Sequence, residues 1–387
     1  MTEAFAIADT AEELLADARR TSGIDIIDDD ALEPLEQLVA SYNGDARLHA
    51  EGARQMRKWV IRLLVNRLRM LRDFAAHPEI RDIPLLPPVI IACVPRTGST
   101  KLQKVLAATG DFNNTPFWMT FNPSSQTGIP NEVLDERIAD TEDFIDWLNA
   151  ASPIAAAGHS FETWEPDEDA MIMGCSLRSP FLSAFAHCPT YLQWYIRQDK
   201  ALQYRYVRDT LKYFIWQGLA DASKPFLLKT AYNSGLEEAY LSAFPDAHIL
   251  ISHRDPRKSV PSAARLLADA YRSAFTDHRA DISFLPAAQG KFKRKEMAYR
   301  DAHPEQRFFD VGYRQITREA EATVKEIYAF CDMPLSDAAL AGVQRWETEN
   351  PQNKRGAYEY AAEDYGFTEQ QIEESFADYM TAYARYL

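Results

Sequence analysis

The sequence predicts an α/β protein in which a parallel sheet is flanked by helices, with a helical N-terminal extension and a helical insertion. The first observation is a short apolar run, 89–94, that directly precedes the loop 95–100 and then a helical pattern. The second is another apolar run, 248–252, which precedes Arg254 and is again followed by helical periodicity. Apolar strands that alternate with helices favour a parallel sheet with crossover helices.

Residues 1–84 are predicted to form the helical N-terminal extension, which is closed by prolines at 84, 87 and 88. In its last helix, apolar residues recur at helical spacing, and basic residues lie mostly on the other faces. The apolar set is Met56, Trp59, Val60, Leu63, Leu64, Leu68 and Leu71. The pattern favours a packed stripe under a solvated basic face, and the alternative is a basic helix that binds a membrane or a partner.

The remaining residues, 85–387, are predicted to form one α/β domain with a helical insertion at about 132–222. Further strands are expected at 226–229, 248–252 and 307–311, because each is followed by helical periodicity. The insertion is rich in aromatic side chains. We expect most of them in the core, although some could line a pocket for a flat ligand.

Composition argues against several classes of protein. The formal net charge of −15 disfavours a nucleic-acid binder, whose affinity depends on clustered cations. No apolar run reaches the roughly eighteen residues of an integral membrane segment. The four cysteines show neither a C-x-x-C pair nor the Cys/His spacing of a metal site. Since the N-terminus also lacks a basic and apolar leader, we expect a reduced, metal-free protein in the cytoplasm.

The loop after the first strand has the composition of an anion-binding site. A strand that ends in a hydroxyl-rich turn and enters a helix directs several backbone N–H groups at one point. The loop adds hydroxyl groups and one guanidinium, and its expected phosphate-binding residues are Arg96, Thr97, Gly98, Ser99 and Thr100. Its spacing is not that of a Walker A loop, and a plain strand-to-helix turn is the alternative.

A second candidate site follows the predicted strand 248–252. Arg254 lies at its carboxyl end, and Ser262 lies eight residues later on the helix that Pro256 would begin. A guanidinium and a hydroxyl so placed could bind one phosphate together. Ligands collect at the carboxyl ends of strands in an open α/β sheet, which favours this interpretation over an arginine paired with Asp255.

These segments resemble the nucleotide site of sulfotransferases that use 3′-phosphoadenosine 5′-phosphosulfate (PAPS). The loop 95–100 is similar to the family's 5′-phosphate loop, and Arg254 with Ser262 is similar to its 3′-phosphate site. Likeness to the bacterial branch of the family extends over nearly the whole chain, through segments 14–20, 77–80 and 363–367. The resemblance implies a P-loop-like α/β core, PAPS as co-substrate, 3′,5′-adenosine bisphosphate as product, and a hydroxyl acceptor in a small molecule, lipid or sugar.

The resemblance also singles out two basic positions. Lys354, Arg355 and Gly356 look like the basic loop that the family folds over the 3′-phosphate, with the first two residues in reversed order. The alternative for this segment is a surface turn with solvated charges. Lys101 follows the hydroxyl pair, where relatives usually carry an apolar residue, and it either adds charge to the phosphate site or faces solvent.

Charge development in sulfonate transfer assigns roles to two cations. The 5′-phosphate of the leaving group gains negative charge, so Arg96 and the loop N–H groups would stabilise the transition state more than the ground state. Lys229, at the end of its predicted strand, could neutralise the bridging or sulfonate oxygens. An ordinary strand-end lysine is the alternative for Lys229.

The general base that deprotonates the acceptor is expected in the acidic segment 159–169. His159 is the first choice, because its unperturbed pKa lies near neutrality, and Glu162 and Glu165 are the alternatives. The acids could instead favour a helix N-terminus, with His159 in a structural role. Many relatives carry a glutamate after a tryptophan where this chain has Trp118-Met119-Thr120. One expected base is therefore missing. This leaves the assignment of the base open, or the acceptor is acidic, such as a phenol, and needs less help from a base.

Two other classes of protein compete with this interpretation. A nucleotide-dependent phosphotransferase would require a Walker-type lysine and magnesium carboxylates, which the sequence does not present in order. A non-catalytic regulator that binds the bisphosphate nucleotide would keep both loops and lack the base. The sequence is compatible with a monomer and with a homo-oligomer.

Overall fold

The computed structural model describes residues 4–26, 28–151, 161–271, 275–276, 280–351 and 361–387. Its strands are β1 (Val89–Ala92), β2 (Leu227–Thr230), β3 (His248–His253) and β4 (Phe308–Gly312). Three helices precede the sheet: α1 (Ala11–Ser22), α2 (Asp29–Gly44) and α3 (Ala50–Ala76). Helices between β1 and β2 are α4 (Ser99–Ala107), α5 (Phe117–Phe121), α6 (Asp135–Ala151), α7 (Ala170–Cys175), α8 (Pro189–Arg197) and α9 (Ala201–Trp216).

The later helices cross between strands and then complete the chain. They are α10 (Glu237–Ala243), α11 (Pro256–Tyr271), α12 (Leu285–Ala302), α13 (Tyr313–Arg318), α14 (Ala320–Phe330), α15 (Asp337–Glu349) and α16 (Glu369–Ala382). Short 3₁₀ helices are Pro78–Asp82, Pro180–Ser183, Glu363–Tyr365 and Ala384–Tyr386. No helix in these ranges is long and apolar enough to cross a membrane.

The four strands form one parallel sheet in the order β2-β1-β3-β4. In β1, Val89 pairs with Leu227 on one side and with His248 on the other. This confirms the predicted α/β class with a parallel sheet flanked by helices. The last strand begins one residue later than predicted, because its pairing with β3 starts at Phe308, opposite Ile249.

Both faces of the sheet are covered, which explains why its strands read as nearly continuous apolar runs. Ile90 and Ile249 pack into the core on one face, while Val89, Ile91 and Leu250 pack into the core on the other. Successive side chains of a strand alternate between faces, so each strand contributes to both cores. The sheet is therefore fixed in register by apolar packing on both sides.

The predicted apolar stripe of α3 is largely buried, as expected. The predicted solvated basic face is only partly right, because several arginines bind groups of the same chain. Arg57 lies 2.7 Å from a carboxylate oxygen of Glu13 and also binds Asp17. Arg67 is buried and paired with Asp28. These contacts tie α3 to the two helices before it.

The N-terminal helices and the helical insertion share one hydrophobic core. Leu14, Leu38 and Trp59 belong to the same buried cluster as Leu182 and Tyr191. The extension therefore packs against the insertion. The boundary at residue 84 stays a prediction.

A cluster of charged side chains is buried between α10 and α12. Lys293 and Glu296 are fully buried, with the ammonium 2.9 Å from a carboxylate oxygen. The Ser234 hydroxyl donates to Glu296 at 2.6 Å. Burial and the nearby Glu296 carboxylate raise the pKa of Glu237 to about 7. The native protein therefore holds a proton on Glu237 at pH values where the unfolded chain has lost it.

We expect Glu237→Gln to change the pH dependence of folding. A raised carboxyl pKa stabilises the native state below the unfolded pKa, and this contribution is lost as pH rises through about 7. The variant has no such loss. From pH 5 to pH 8, its unfolding free energy relative to that of the wild type should therefore rise by about 2 kcal/mol. Urea denaturation at the two pH values measures the difference. Glu238→Gln, at an exposed neighbouring position, is the matched control and should show no such gain. Equal behaviour of the two variants would contradict the assignment of this proton.

Candidate active site

The loop after β1 adopts a backbone conformation that depends on glycine. Arg96 and Gly98 both have left-handed backbones, with φ of 70° and 91°. A Cβ atom on Gly98 would lie 2.9 Å from Cδ2 of Tyr313, so no larger residue fits here without displacing that ring. Helix α4 begins at Ser99, and the first N–H groups of a helix have no acceptor within it. The loop therefore presents backbone donors at the carboxyl edge of the sheet.

Thr97 is the internal anchor of this loop. Its buried hydroxyl donates to the Val94 carbonyl at 3.1 Å and lies 2.6 Å from the Ser252 hydroxyl of β3. Since the Thr97 proton is directed to Val94, the Ser252 hydroxyl is the donor in the second bond. Ser99 is also buried, whereas Thr100 is exposed. Of these three residues, Thr100 is thus the exposed one.

The two predicted phosphate-binding arginines converge. Arg254 donates to the Arg96 backbone carbonyl at 2.9 Å, although the two residues are 158 positions apart in sequence. Arg96 Nε donates to the Ser262 hydroxyl at 3.1 Å. The Arg254 guanidinium also lies 4.1 Å from the ring centroid of Tyr313, a cation–π contact. Arg96, Arg254 and Ser262 therefore form one cluster beside the glycine turn.

Lys229 lies on the other side of the loop. It is fully buried, with its ammonium 2.9 Å from Glu168 and 3.4 Å from the Thr100 hydroxyl. Glu168 also accepts hydrogen bonds from the Thr230 hydroxyl and the Ala231 N–H. Burial alone would lower the pKa of Lys229, but the Glu168 carboxylate and its neighbour Asp167 raise it above the ordinary value. Lys229 is therefore a permanent cation that contacts the hydroxyl of Thr100.

A second carboxyl group lies next to this ion pair. Asp169 is buried, its backbone N–H donates to the Lys229 carbonyl at 3.2 Å, and its Oδ1 has no hydrogen-bond partner among the described residues. Burial, with a contribution from Glu168, raises the pKa of Asp169 to about 7. A buried acid with an orphaned oxygen is a local cost to stability, and such costs cluster at functional sites.

Other predicted residues have partners elsewhere or make no described contact with the loop. Lys101 pairs with Glu347 at 2.9 Å and donates to the Thr317 carbonyl at 3.3 Å. Its ammonium is thus directed to α13 and α15, and its role toward a phosphate stays a prediction. Glu162 is exposed, and Glu165 pairs with Lys104 of α4 at 3.2 Å.

Part of the predicted site lies outside the described residues. This applies to His159 and to the basic segment Lys354, Arg355 and Gly356. At the position where relatives carry a base, Trp118, Met119 and Thr120 are all buried. Among the described residues, no group of three histidine, cysteine or acidic side chains is arranged to hold a metal ion.

The structure adds three residues that the sequence did not single out for the site. Glu168 orients Lys229, Tyr313 contacts both Gly98 and Arg254, and Ser252 holds Thr97. Glu168 lies within the acidic segment 159–169, but nothing in the spacing distinguishes it from the other acids. Tyr313 and Ser252 become visible only when strand order is known.

Comparison with known proteins gives two kinds of match. A model of the sulfotransferase family, Sulfotransfer_3, matches residues 87–337, which is more than half of the chain. The fold is similar to that of sulfotransferase STF9 from Mycobacterium avium, with a TM-score of 0.85 at 23% identity and coverage of 98% of each chain. It is also similar to sulfotransferase STF1 from Mycobacterium tuberculosis H37Rv, with a TM-score of 0.77 at 25% identity over 96% of this chain and 99% of that one. No curated protein sequence matches the chain.

Gly98→Ala should destabilise the loop for two reasons, a left-handed backbone and a clash with Tyr313. We expect a loss of about 3 kcal/mol of unfolding free energy. Gly110→Ala is the matched control, because Gly110 has a φ of 78° but nothing within 4 Å of a Cβ atom. That variant should lose only about 1 kcal/mol. Chemical denaturation measures both, and equal losses would show that Tyr313 does not confine the loop.

Proposed function

Because the chain belongs to the sulfotransferase family, we propose that it transfers the sulfonate group of PAPS to a hydroxyl of a small acceptor. The observation that carries the proposal is the convergence of Arg96, Arg254 and Ser262 at one glycine turn. Two guanidinium groups, a hydroxyl and the N–H groups of a helix N-terminus suit a ligand with two phosphates. The close approach of Tyr313 to Gly98 confines the backbone turn that presents these donors.

The cluster supplies donors for both ends of the nucleotide. Arg96 and the first N–H groups of α4 would bind the 5′-phosphate, and Arg254 with Ser262 would bind the 3′-phosphate. The Ser262 hydroxyl accepts from Arg96, so its own proton is available to a phosphate oxygen. Lys354, Arg355 and Gly356 would cover the 3′-phosphate, and Lys101 would add charge at the loop. PAPS supplies a sulfonate that is attached to a good leaving group. The residues of the chain therefore have to bind and orient the nucleotide and neutralise the charge that develops on it.

Transfer breaks the bond from sulfur to the bridging oxygen and forms a bond from sulfur to the acceptor oxygen. The electron pair stays on the 5′-phosphate, where Arg96 and the loop N–H groups stabilise the added charge. Lys229, which is held by Glu168 and contacts Thr100, would neutralise the bridging or sulfonate oxygens. Because these donors are fixed before the reaction, they favour the transition state over the ground state.

The acceptor proton requires a base near the sulfur. His159 is the first candidate, because the unperturbed pKa of a histidine lies near neutrality, and Glu162 and Glu165 are the alternatives. We add Glu168, because it is the carboxylate in direct contact with Lys229. The buried Met119 and Thr120 leave the base position of many relatives without a titratable group. This supports either a base from the segment 159–169 or an acidic acceptor such as a phenol.

The proposed setting is the cytoplasm, with a small molecule, lipid or sugar as the acceptor. The four cysteines are free and buried, as expected for a chain kept in a reducing compartment. No contact with nucleic acid is proposed, in keeping with the net charge of −15.

Arg96→Ala and Arg254→Ala should each weaken binding of 3′,5′-adenosine bisphosphate by about 2–4 kcal/mol, since each removes one partner of a desolvated charge pair. Isothermal titration measures the affinities. Arg257→Ala is the matched control, because Arg257 is exposed and pairs with Asp255 on the surface. Unchanged affinity in both site variants, or tighter binding of ATP with magnesium than of the bisphosphate, would overturn the assignment.

Transfer of radiolabelled sulfonate from PAPS to a panel of phenols, steroids, sugars and lipids tests the activity itself. We expect a labelled product with at least one acceptor. With that acceptor, the kcat values of His159→Ala, Glu162→Gln and Glu168→Gln can be compared. Loss of the base should lower kcat by about 100-fold or more while affinity for the bisphosphate is kept. Bisphosphate binding without any product would identify a nucleotide-binding regulator instead.

A further inference from the structure

Behind Arg254, a chain of hydrogen bonds begins at Arg300 on α12. Its guanidinium binds Asp310 of β4 through two contacts, at 2.7 and 2.8 Å. The same carboxylate lies 2.9 Å from Nε2 of His253. Burial alone would raise the pKa of Asp310, but hydrogen bonds from Arg300 and His253 hold it well below the ordinary value. Asp310 is therefore an ionised acceptor for both groups.

The ionised carboxylate fixes the tautomer of His253. Because Asp310 can only accept, Nε2 carries the proton and donates to it. The ring is fully buried, and burial lowers the pKa of His253, so the imidazole is neutral near pH 7. Its Nδ1 is then an acceptor, and it lies 3.0 Å from the hydroxyl of Tyr379 on α16. Tyr379 donates this bond.

The last link of the chain reaches Arg254 itself. This link is covalent, because His253, whose two ring nitrogens are held by Asp310 and Tyr379, directly precedes Arg254 in the chain. Arg300 and His253 both donate to Asp310, and Tyr379 donates to His253, so the donors of the series point toward the carboxylate from both ends. The ring of Tyr383 stacks on the imidazole, with 4.4 Å between the ring centroids, and restrains the orientation of the imidazole.

The side chain of Arg254 is restrained independently of its backbone. Its guanidinium lies over the ring of Tyr313 and donates to the Arg96 carbonyl at 2.9 Å. Two sets of contacts therefore restrain this arginine, one on the preceding residue His253 and one on its own guanidinium. A donor held in place before binding loses less conformational entropy when it binds a phosphate.

We propose that the hydrogen-bonded series Arg300, Asp310, His253 and Tyr379 is a positioning relay that presents Arg254 to the 3′-phosphate of the nucleotide. The inference rests on the proposed function, because it assumes that Arg254 reads that phosphate. It assigns no chemical step to these residues, which act through His253, the residue directly before Arg254. The relay predicts that its loss weakens recognition of the 3′-phosphate and spares the rest of the nucleotide.

The test is isothermal titration of wild type and Tyr379→Phe with two probes, 3′,5′-adenosine bisphosphate and adenosine 5′-monophosphate. The ratio of the two affinities isolates the 3′-phosphate. We expect Tyr379→Phe to lower that ratio by about five- to tenfold, the usual effect of one lost hydrogen bond, and to leave monophosphate affinity unchanged. General destabilisation would not move the ratio. Asp310→Asn should lower the ratio in the same direction and serves if the first variant folds poorly.

Tyr383→Phe is the matched control, since Tyr383 stacks on the same imidazole and Phe keeps the ring. Its ratio should equal that of the wild type. A wild-type preference for the bisphosphate that survives unchanged in Tyr379→Phe would overturn the relay and leave the proposed function intact. Failure of the wild type to bind either nucleotide would overturn the proposed function itself.

Discussion

The side-by-side placement of β1 and β3 is the constraint on which the site depends. Their register pairs Ala92 with Ile251, so the chain leaves both strands at the same level of the sheet. Beyond that level, Thr97 and Ser252 share a hydrogen bond, and Arg254 reaches the Arg96 carbonyl. Neither contact would form if another strand separated the two. Apolar packing on both faces of the sheet therefore determines where the polar groups meet.

Strand order also distributes the cations around the loop. β2 lies on one side of β1 and brings Lys229 to Thr100, whereas β3 lies on the other and brings Arg254 to Arg96. β4 follows β3 and supplies Tyr313 against the turn at Gly98. Four strand ends thus enclose one loop. The net charge of −15 would repel an anionic ligand. At physiological salt, however, most of the charges that lie more than about 8–10 Å from the ligand are screened. An anionic ligand at the loop would respond mainly to these local cations.

Sequence reasoning succeeded where a local pattern has a single physical meaning. The apolar run 89–94 gave β1, and the glycine turn before α4 gave the loop. The sequence also predicts Arg254 and Ser262 near the loop, because the carboxyl ends of parallel strands share one edge. The sequence does not predict which residues these side chains contact. Glu168 is one acid among several in its segment, and Tyr313 follows a strand whose neighbour is β3, far away in sequence.

The buried charges on α12 fit a role in orientation better than a role in stability. Lys293, Glu296 and Arg300 follow one another at spacings of three and four residues, so they share one face of the helix. Lys293 and Glu296 are fully buried, and a buried ion pair is often no more stable than apolar residues of the same volume. An apolar face on α12 would fill the same space. It would lack Arg300, the donor that helps to keep Asp310 ionised, and the ionised carboxylate is what fixes the tautomer of His253. The charged face of α12 thus orients His253 at the end of β3, next to Arg254, which apolar packing alone would not do.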